Sequence, residues 1–261
     1  MISGIFYLFF LLALSITPSL IWLNYYLKKD FKPEPRRWLS IAFAAGVLIT
    51  IIIGIAESAL FGEWTELPNN QNLINIVFFL FLPFLEETGK FIATFFSSFK
   101  NPHFRDETTD PIIYAVVTGL GFAAAENLKV CFSILQENMV LVNWQNLASF
   151  SLSAPIINTL IITMFIRLLS AVFLHASSCS IFGYFWAIGR ILKKKKYAII
   201  GLLVFGIIMA SLLHSCYNYL IMKTVENLYF AFGVAALLII SNYVMSRAFK
   251  QVESYQKTYG V

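Results

Sequence analysis

Charged residues are scarce in this chain: Asp, Glu, Lys and Arg make up 13% of its 261 residues, against 59% for the apolar set. Soluble globular domains carry about 25% charged and roughly 45–50% apolar residues. The shortage excludes a chain that shows most of its surface to water, and the mean hydropathy of +0.74 agrees. No polar stretch is long enough to form a separate soluble core, so one integral-membrane domain is expected over 1–261. Cysteine is equally thin. Cys131, Cys179 and Cys216 are odd in number and lie inside apolar segments, which argues against a disulfide framework or a paired zinc knuckle. They read as small packing residues. The opening segment lacks the basic region of a secretory signal, and its apolar run exceeds the roughly 7–15 residues of a signal core. It is expected to stay as the first transmembrane helix.

What is present is a series of apolar runs. A spanning helix needs about 20 mostly apolar residues, and runs of that kind fall at about 2–27, 38–60, 73–97, 111–135, 163–189, 198–220 and 228–246. The expected fold is therefore all-α, a polytopic transmembrane helical bundle of about seven spans. The stretch 146–162 is ambiguous and is assigned to a re-entrant or interfacial helix, because two crossings within 146–189 would put the run "RILKKKK" (190–196) on the outer side. Lys and Arg accumulate on the cytoplasmic face. Lys28, Lys29, Lys32, Arg36 and Arg37 after the first span, Lys100 and Arg105 after the third, and the lysine run after the fifth all fall on one side, while the alternate connections are acidic or nearly neutral. The N-terminus is thus expected outside and the C-terminus in the cytoplasm. The net charge of +5 sits in these short clusters, which describes topology and gives no sign of a nucleic-acid partner.

Against this background the polar residues inside the spans stand out: Glu86, Glu87 and Lys90 in the third, Glu126 and Lys129 in the fourth, His175 in the fifth and His214 in the sixth. Insertion scales charge about 2.5–3.5 kcal/mol for an ionised residue at a helix centre, so the acids and lysines together oppose insertion by on the order of 10 kcal/mol until partners are found. They must face the bundle interior and one another. Glu86 and Lys90 are i,i+4 neighbours, Glu87 points about 100° away, and Pro83 removes a backbone donor just ahead of them. Gly119, Gly121, Ala124 and Ala125 form a small-residue face beside Glu126. His214 and Asn218 share a face at i,i+4. Counted along each span, these groups fall in a similar band, displaced toward the outer leaflet.

Carboxylates and imidazoles converging in a low-dielectric cavity can activate water for amide hydrolysis. The G-x-S-x-G elbow and H-E-x-x-H are both missing, so the usual serine hydrolase and zincin signatures are absent. Two routes remain open. His175, His214 and a glutamate could hold a divalent metal such as Zn2+ with a fourth position for water, or the glutamates could activate water without metal.

The ordered set "EETGK" (86–90), "GFAAAEN" (121–127), "HASSCSIFGY" (175–184) and "HSCYN" (214–218) resembles the four motifs of the PrsW family of intramembrane proteases, over about residues 75 to 220 within a motif-bearing core of 73–220. That family is similar to the CAAX prenyl endopeptidases, whose second motif carries histidine where this chain has Glu126. The resemblance implies that Glu86 and Glu87 form the catalytic pair, that Glu126 and His175 complete a water or metal site, and that His214 with Asn218 binds metal or the oxyanion. It also implies a single-pass membrane substrate such as an anti-sigma factor, cut near the extracytoplasmic side of a bacterial plasma membrane. Intramembrane Glu, Lys and His also mark proton- or cation-coupled transporters, but no inverted repeat or matched pair of broken helices is visible. A non-catalytic membrane scaffold with a protease-like fold is the third alternative. Oligomeric state is not legible.

Overall fold

A segment inside lipid must satisfy its own backbone, and among the described residues every regular element is a helix. The computed structural model describes residues 2–29, 32–61, 71–105, 107–138, 151–192 and 195–259. Helices α1 (Ile2–Leu27) and α2 (Arg36–Phe61) are followed by α3 (Gln71–Ile76), which continues through a π-helical turn (Val77–Phe81) into α4 (Leu82–Ser98). Then come α5 (Asp110–Glu137), α6 (Ala154–Leu169), α7 (Ala171–Ile191), α8 (Lys196–Glu226) and α9 (Phe230–Tyr259).

Six helical stretches among the described residues are long and apolar enough to cross a membrane: 4–27, 36–60, 110–137, 154–191, 196–226 and 230–255. The path from Gln71 to Ser98 is less apolar because it carries Glu86, Glu87 and Lys90, and it takes a seventh place in the bundle, packed on α2, α5, α7 and α8. The π turn lies just before Pro83. Proline has no N–H to give and its ring crowds the preceding turn, and a widened turn absorbs both effects.

The fifth apolar element differs from expectation. It begins at Ala154, with Pro155 in its first turn, and not at 163. It is broken at Ser170, whose backbone leaves the helical region (φ −122°, ψ −84°) and whose N–H is shared between Ile166 O and Arg167 O. The 38 residues 154–191 would make a rod of about 57 Å at about 1.5 Å per residue, nearly twice the thickness of a hydrocarbon core of about 30 Å; the break divides it into two helices. Of the ambiguous stretch, 146–150 lies outside the described residues. The part from Ala154 onward belongs to α6, which buries Leu160 and Met164 in a cluster with Leu11, Cys131 and Leu135 and turns Ile162 and Phe165 outward.

Helix α5 is the axis of the bundle. It is buried from Asp110 to Ala124 and packs on α7, α2 and α1. Glycine permits the closest approaches. A Cβ on Gly46 of α2 would lie 2.0 Å from Thr118 O, one on Gly121 of α5 would lie 2.0 Å from Phe43 O, and one on Gly119 would lie 2.7 Å from His175 O. Side chains therefore cannot separate these backbones, and helix association in lipid rests on such contact. Elsewhere α1, α2, α8 and α9 turn large apolar side chains outward, the surface expected of a bundle solvated by acyl chains.

Candidate active site

The close packing of α5 on α7 at Gly119 sets His175 beside the acid-bearing turn of α4. Lys90 is wholly buried and lies at the centre. Its Nζ is 2.8 Å from Glu87 Oε1, 2.9 Å from His175 Nδ1 and 3.5 Å from Glu86 Oε2. The i,i+4 pairing expected for Glu86 and Lys90 is thus the longer contact, and the i,i+3 pairing with Glu87 is the shorter. The ammonium also lies 4.2 Å from the centre of the Phe122 ring, where the ring face attracts a cation.

Two hydrogen-bond chains leave this centre. In the first, His175 accepts from Lys90 at Nδ1, which leaves Nε2–H to donate to Glu126 Oε2 at 2.9 Å. Glu126 also accepts from Arg167 Nη2 at 2.6 Å, and Arg167 Nε donates to Asn127 Oδ1 at 2.6 Å. Asn127 Nδ2 in turn donates to Ser15 O of α1 at 3.0 Å. In the second, His214 Nδ1 donates to Glu87 Oε1 at 2.9 Å and lies 3.8 Å from Glu86 Oε2. The two imidazoles meet edge to face, with ring centres 5.2 Å apart. The side chains expected to meet do meet: Glu86, Glu87, Glu126, His175 and His214 form one connected cluster contributed by α4, α5, α7 and α8.

Two cavities converge on it. One, of about 480 Å³, lies between α2 and α5; the other, of about 290 Å³, is bounded by the π turn, α4 and α8. Both include Glu57, Glu86, Glu126 and Lys129 in their walls, and the second adds His214 and Asn218. Asn218 therefore faces the same space as the acids. Glu86 is the acid of the α4 pair that reaches the cavities, whereas Glu87 is sealed off and supports His214 and Lys90.

One group of metal-type donors among the described residues is compact enough to hold an ion: single donor atoms of Glu86, His175 and His214 lie within 4.8 Å of one another. The metal set expected from the sequence was His175, His214 and Glu126; here Glu86 joins the histidines, and Glu126 is tied to His175 and Arg167. Two imidazoles and a carboxylate with an open fourth position suit catalytic zinc. Glu87 fixes the tautomer of His214 and leaves its Nε2 available to a ligand, as outer-shell carboxylates do. Glu87 Oε2 is buried without a hydrogen-bond partner, which points to a further partner at this centre. Both nitrogens of His175 are engaged, so an ion held there takes the place of Lys90 or Glu126 on that ring.

Arg167, Glu57 and Asn127 were not among the residues expected at the site. Arg167 lies within an apolar run and Glu57 near the end of the second, so the cost of burying charge would have flagged both. Asn127 offered no comparable signal, because a single amide in a helix is more often a packing group.

Residues 34–245 match the family described as PrsW family intramembrane metalloprotease. The chain is 26% identical over 215 residues to a protein of Bacillus subtilis (strain 168) named Protease PrsW, covering 82% of this chain and 84% of that one. It is 32% identical over 147 residues to the Protease PrsW of Clostridioides difficile (strain 630), covering 56% and 60%. It is 34% identical over 119 residues to the protein of that name from Oceanobacillus iheyensis, covering 45% and 52%. No solved structure matches the chain.

Proposed function

Because the chain belongs to the PrsW family of intramembrane metalloproteases, and is thus an intramembrane endopeptidase, we propose that the cluster around Glu86 is its catalytic centre and that the whole chain acts as one membrane domain. The observation that carries this is the convergence of three carboxylates and two imidazoles from four helices on cavities that Glu86 and Glu126 both line. Such a set is costly to insert even when paired, and intramembrane ionisable residues mark functional sites.

Glu86 is the general base. Its carboxylate borders both cavities and is only 13% exposed, which positions it to accept a proton from a water beside a substrate carbonyl. Glu87 holds His214 through the 2.9 Å hydrogen bond, so that the imidazole keeps one orientation toward the carbonyl. Asn218, on the wall shared with His214, offers an amide donor for the oxyanion. Glu86, protonated as the water attacks, returns the proton to the leaving amine, while the hydrogen bond between Glu126 and His175 keeps both side chains in place beside it. Lys90 supplies the buried positive charge that lets Glu86 and Glu87 sit side by side. A divalent ion such as Zn2+ would be held by Glu86, His175 and His214 and would polarise the scissile carbonyl and acidify water; with Glu86 as a ligand, the proton would pass to Glu126, which lines the same cavities.

The substrate is a single-pass membrane protein, an anti-sigma factor being the class implied by the family motifs, cut toward the extracytoplasmic side of a bacterial plasma membrane. The loop charges support an orientation with the N-terminus outside and the C-terminus inside. The test is co-expression with a single-pass substrate. Glu86→Gln, Glu87→Gln and His175→Ala are each expected to stop cleavage while the protein still accumulates in the membrane; undiminished cleavage by all three overturns the assignment.

A further inference from the structure

Helices α2 and α5 touch at one end and part at the other. At Gly46 and Gly121 the two backbones are in contact, each leaving only 2.0 Å for a Cβ. About two turns further along α2, a Cβ on Gly54 would meet nothing within 4 Å. On another face α2 is pinned to α4, where Ile49 and Ile53 pack against Gly89. The divergence is therefore a wedge with fixed walls. Thr50 closes its narrow end, its hydroxyl hydrogen-bonded to Gly46 O at 2.9 Å and lying 3.4 Å from Phe122 O. The 480 Å³ cavity fills the wedge, with Glu86 and Glu126 in its wall and Ile51 and Ile55, 54% and 65% exposed, on its outer lip.

We propose that this wedge is the lateral portal by which the scissile stretch of a membrane-embedded substrate reaches Glu86, and that Gly54 sets its width. The proposal rests on the protease assignment above and adds to it the route of entry and the kind of segment admitted. A substrate helix hides its amides in its own hydrogen bonds, so the bond to be cut must enter as unwound chain. The wedge offers apolar wall at Ile51, Ile55 and Phe122, and a carboxylate and an ammonium at its wide end in Glu57 and Lys129. That pattern fits a stretch apolar on one side and polar on the other, as at the boundary between a transmembrane helix and its flanking segment. The second cavity approaches Glu86 from the α4 and α8 side past His214 and Asn218, and it gives water a separate path.

The test uses the full-length protein in lipid vesicles with a single-pass substrate that it cleaves. A Cβ on Gly54 meets nothing within 4 Å and leucine favours helix over glycine, so Gly54→Leu is expected to accumulate normally, yet to lower the initial cleavage rate at least tenfold. Gly201→Leu, at an equally open site on α8, is expected to cleave as the wild type does. In the inactive Glu86→Gln protein, a photo-crosslinking residue at Ile55 should capture substrate, and one at Ile240 of α9, 61% exposed, should not. Capture at Phe78 or Met222 in place of Ile55 moves entry to the other cavity and overturns the proposal. A wild type that cleaves while Gly54→Leu cleaves as fast overturns the portal alone; a wild type that leaves every single-pass substrate intact overturns the protease assignment and the portal with it.

Discussion

Replacing Arg167 with methionine keeps the apolar stem of the side chain and removes its fork of donors. Two hydrogen bonds of 2.6 Å disappear, one to Glu126 and one to Asn127. Both side chains of the ion pair are mostly shielded, with Arg167 18% and Glu126 26% exposed. Hydrogen bonds between membrane helices are worth about 0.6 kcal/mol on average and about 1.7 at most. Two of them, one involving a charged pair, give an expected stability loss of about 1–3 kcal/mol, enough to lower the midpoint of unfolding without abolishing the fold. The effect on rate is larger in kind. Glu126 keeps its contact with His175 but loses the anchor that aims it, and removing an outer partner of a catalytic or metal-binding group typically costs about 10–100-fold. That corresponds to about 1.4–2.7 kcal/mol of transition-state stabilisation. Arg167→Lys keeps the charge, but an ammonium cannot match the planar fork, so it should hold Glu126 or Asn127 and cleave at an intermediate rate. The assay is the initial rate of substrate cleavage in vesicles over a range of substrate densities. A positioning role predicts a fall in kcat with KM nearly unchanged. Cleavage by Arg167→Met at the wild-type rate, with unfolding also unchanged, would show that the Arg167–Glu126–Asn127 arrangement has no part in holding the site.

Lys90→Met leaves Glu87 buried without its closest cation, and breaking a buried pair from one side costs about 3–5 kcal/mol, so the variant should accumulate poorly. Adding Glu87→Gln should restore part of that loss, and a double-mutant cycle on membrane levels measures the coupling. Gly121→Ala, whose Cβ would fall 2.0 Å from Phe43 O, should destabilise by about 1–3 kcal/mol through overpacking. Gly201→Ala, with open space around it, should gain about 0.5–1 kcal/mol, and thermal unfolding in detergent compares the two. A strong chelator should abolish cleavage and added Zn2+ restore it, with Glu86→Gln and His214→Ala each lowering bound metal in elemental analysis; full activity in metal-free protein would assign water activation to the glutamates alone.

Much of the bundle could be read along the chain. The apolar runs located α1, α2 and α5 closely and the starts of α8 and α9, because each must be long enough to span and must pair its backbone internally; α8 and α9 run on to Glu226 and Tyr259, past the expected ends at 220 and 246. The fifth element could not be read in the same way. Its run is apolar on both sides of Ser170, so hydropathy gives no reason for a break there, and only the structure shows the separate α6 packed against α1 and α5. Within the site, the cost of charge in lipid singled out Glu86, Glu87, Lys90, Glu126 and both membrane histidines. The same cost was overlooked at Arg167 and Glu57, which sit in runs otherwise read for their hydropathy.

What the sequence determined by itself was a helical membrane bundle with a buried charged cluster, since both follow from the expense of exposing backbone and ions to hydrocarbon. The partners were decided only by tertiary structure. Lys90 prefers Glu87 to Glu86, Glu86 joins the histidines, and Arg167 holds Glu126, because hydrogen bonds of 2.6–3.5 Å depend on how far each helix is rotated and slid against the next. Those settings come from backbone contact at Gly46, Gly119 and Gly121, which periodicity along a single helix cannot supply.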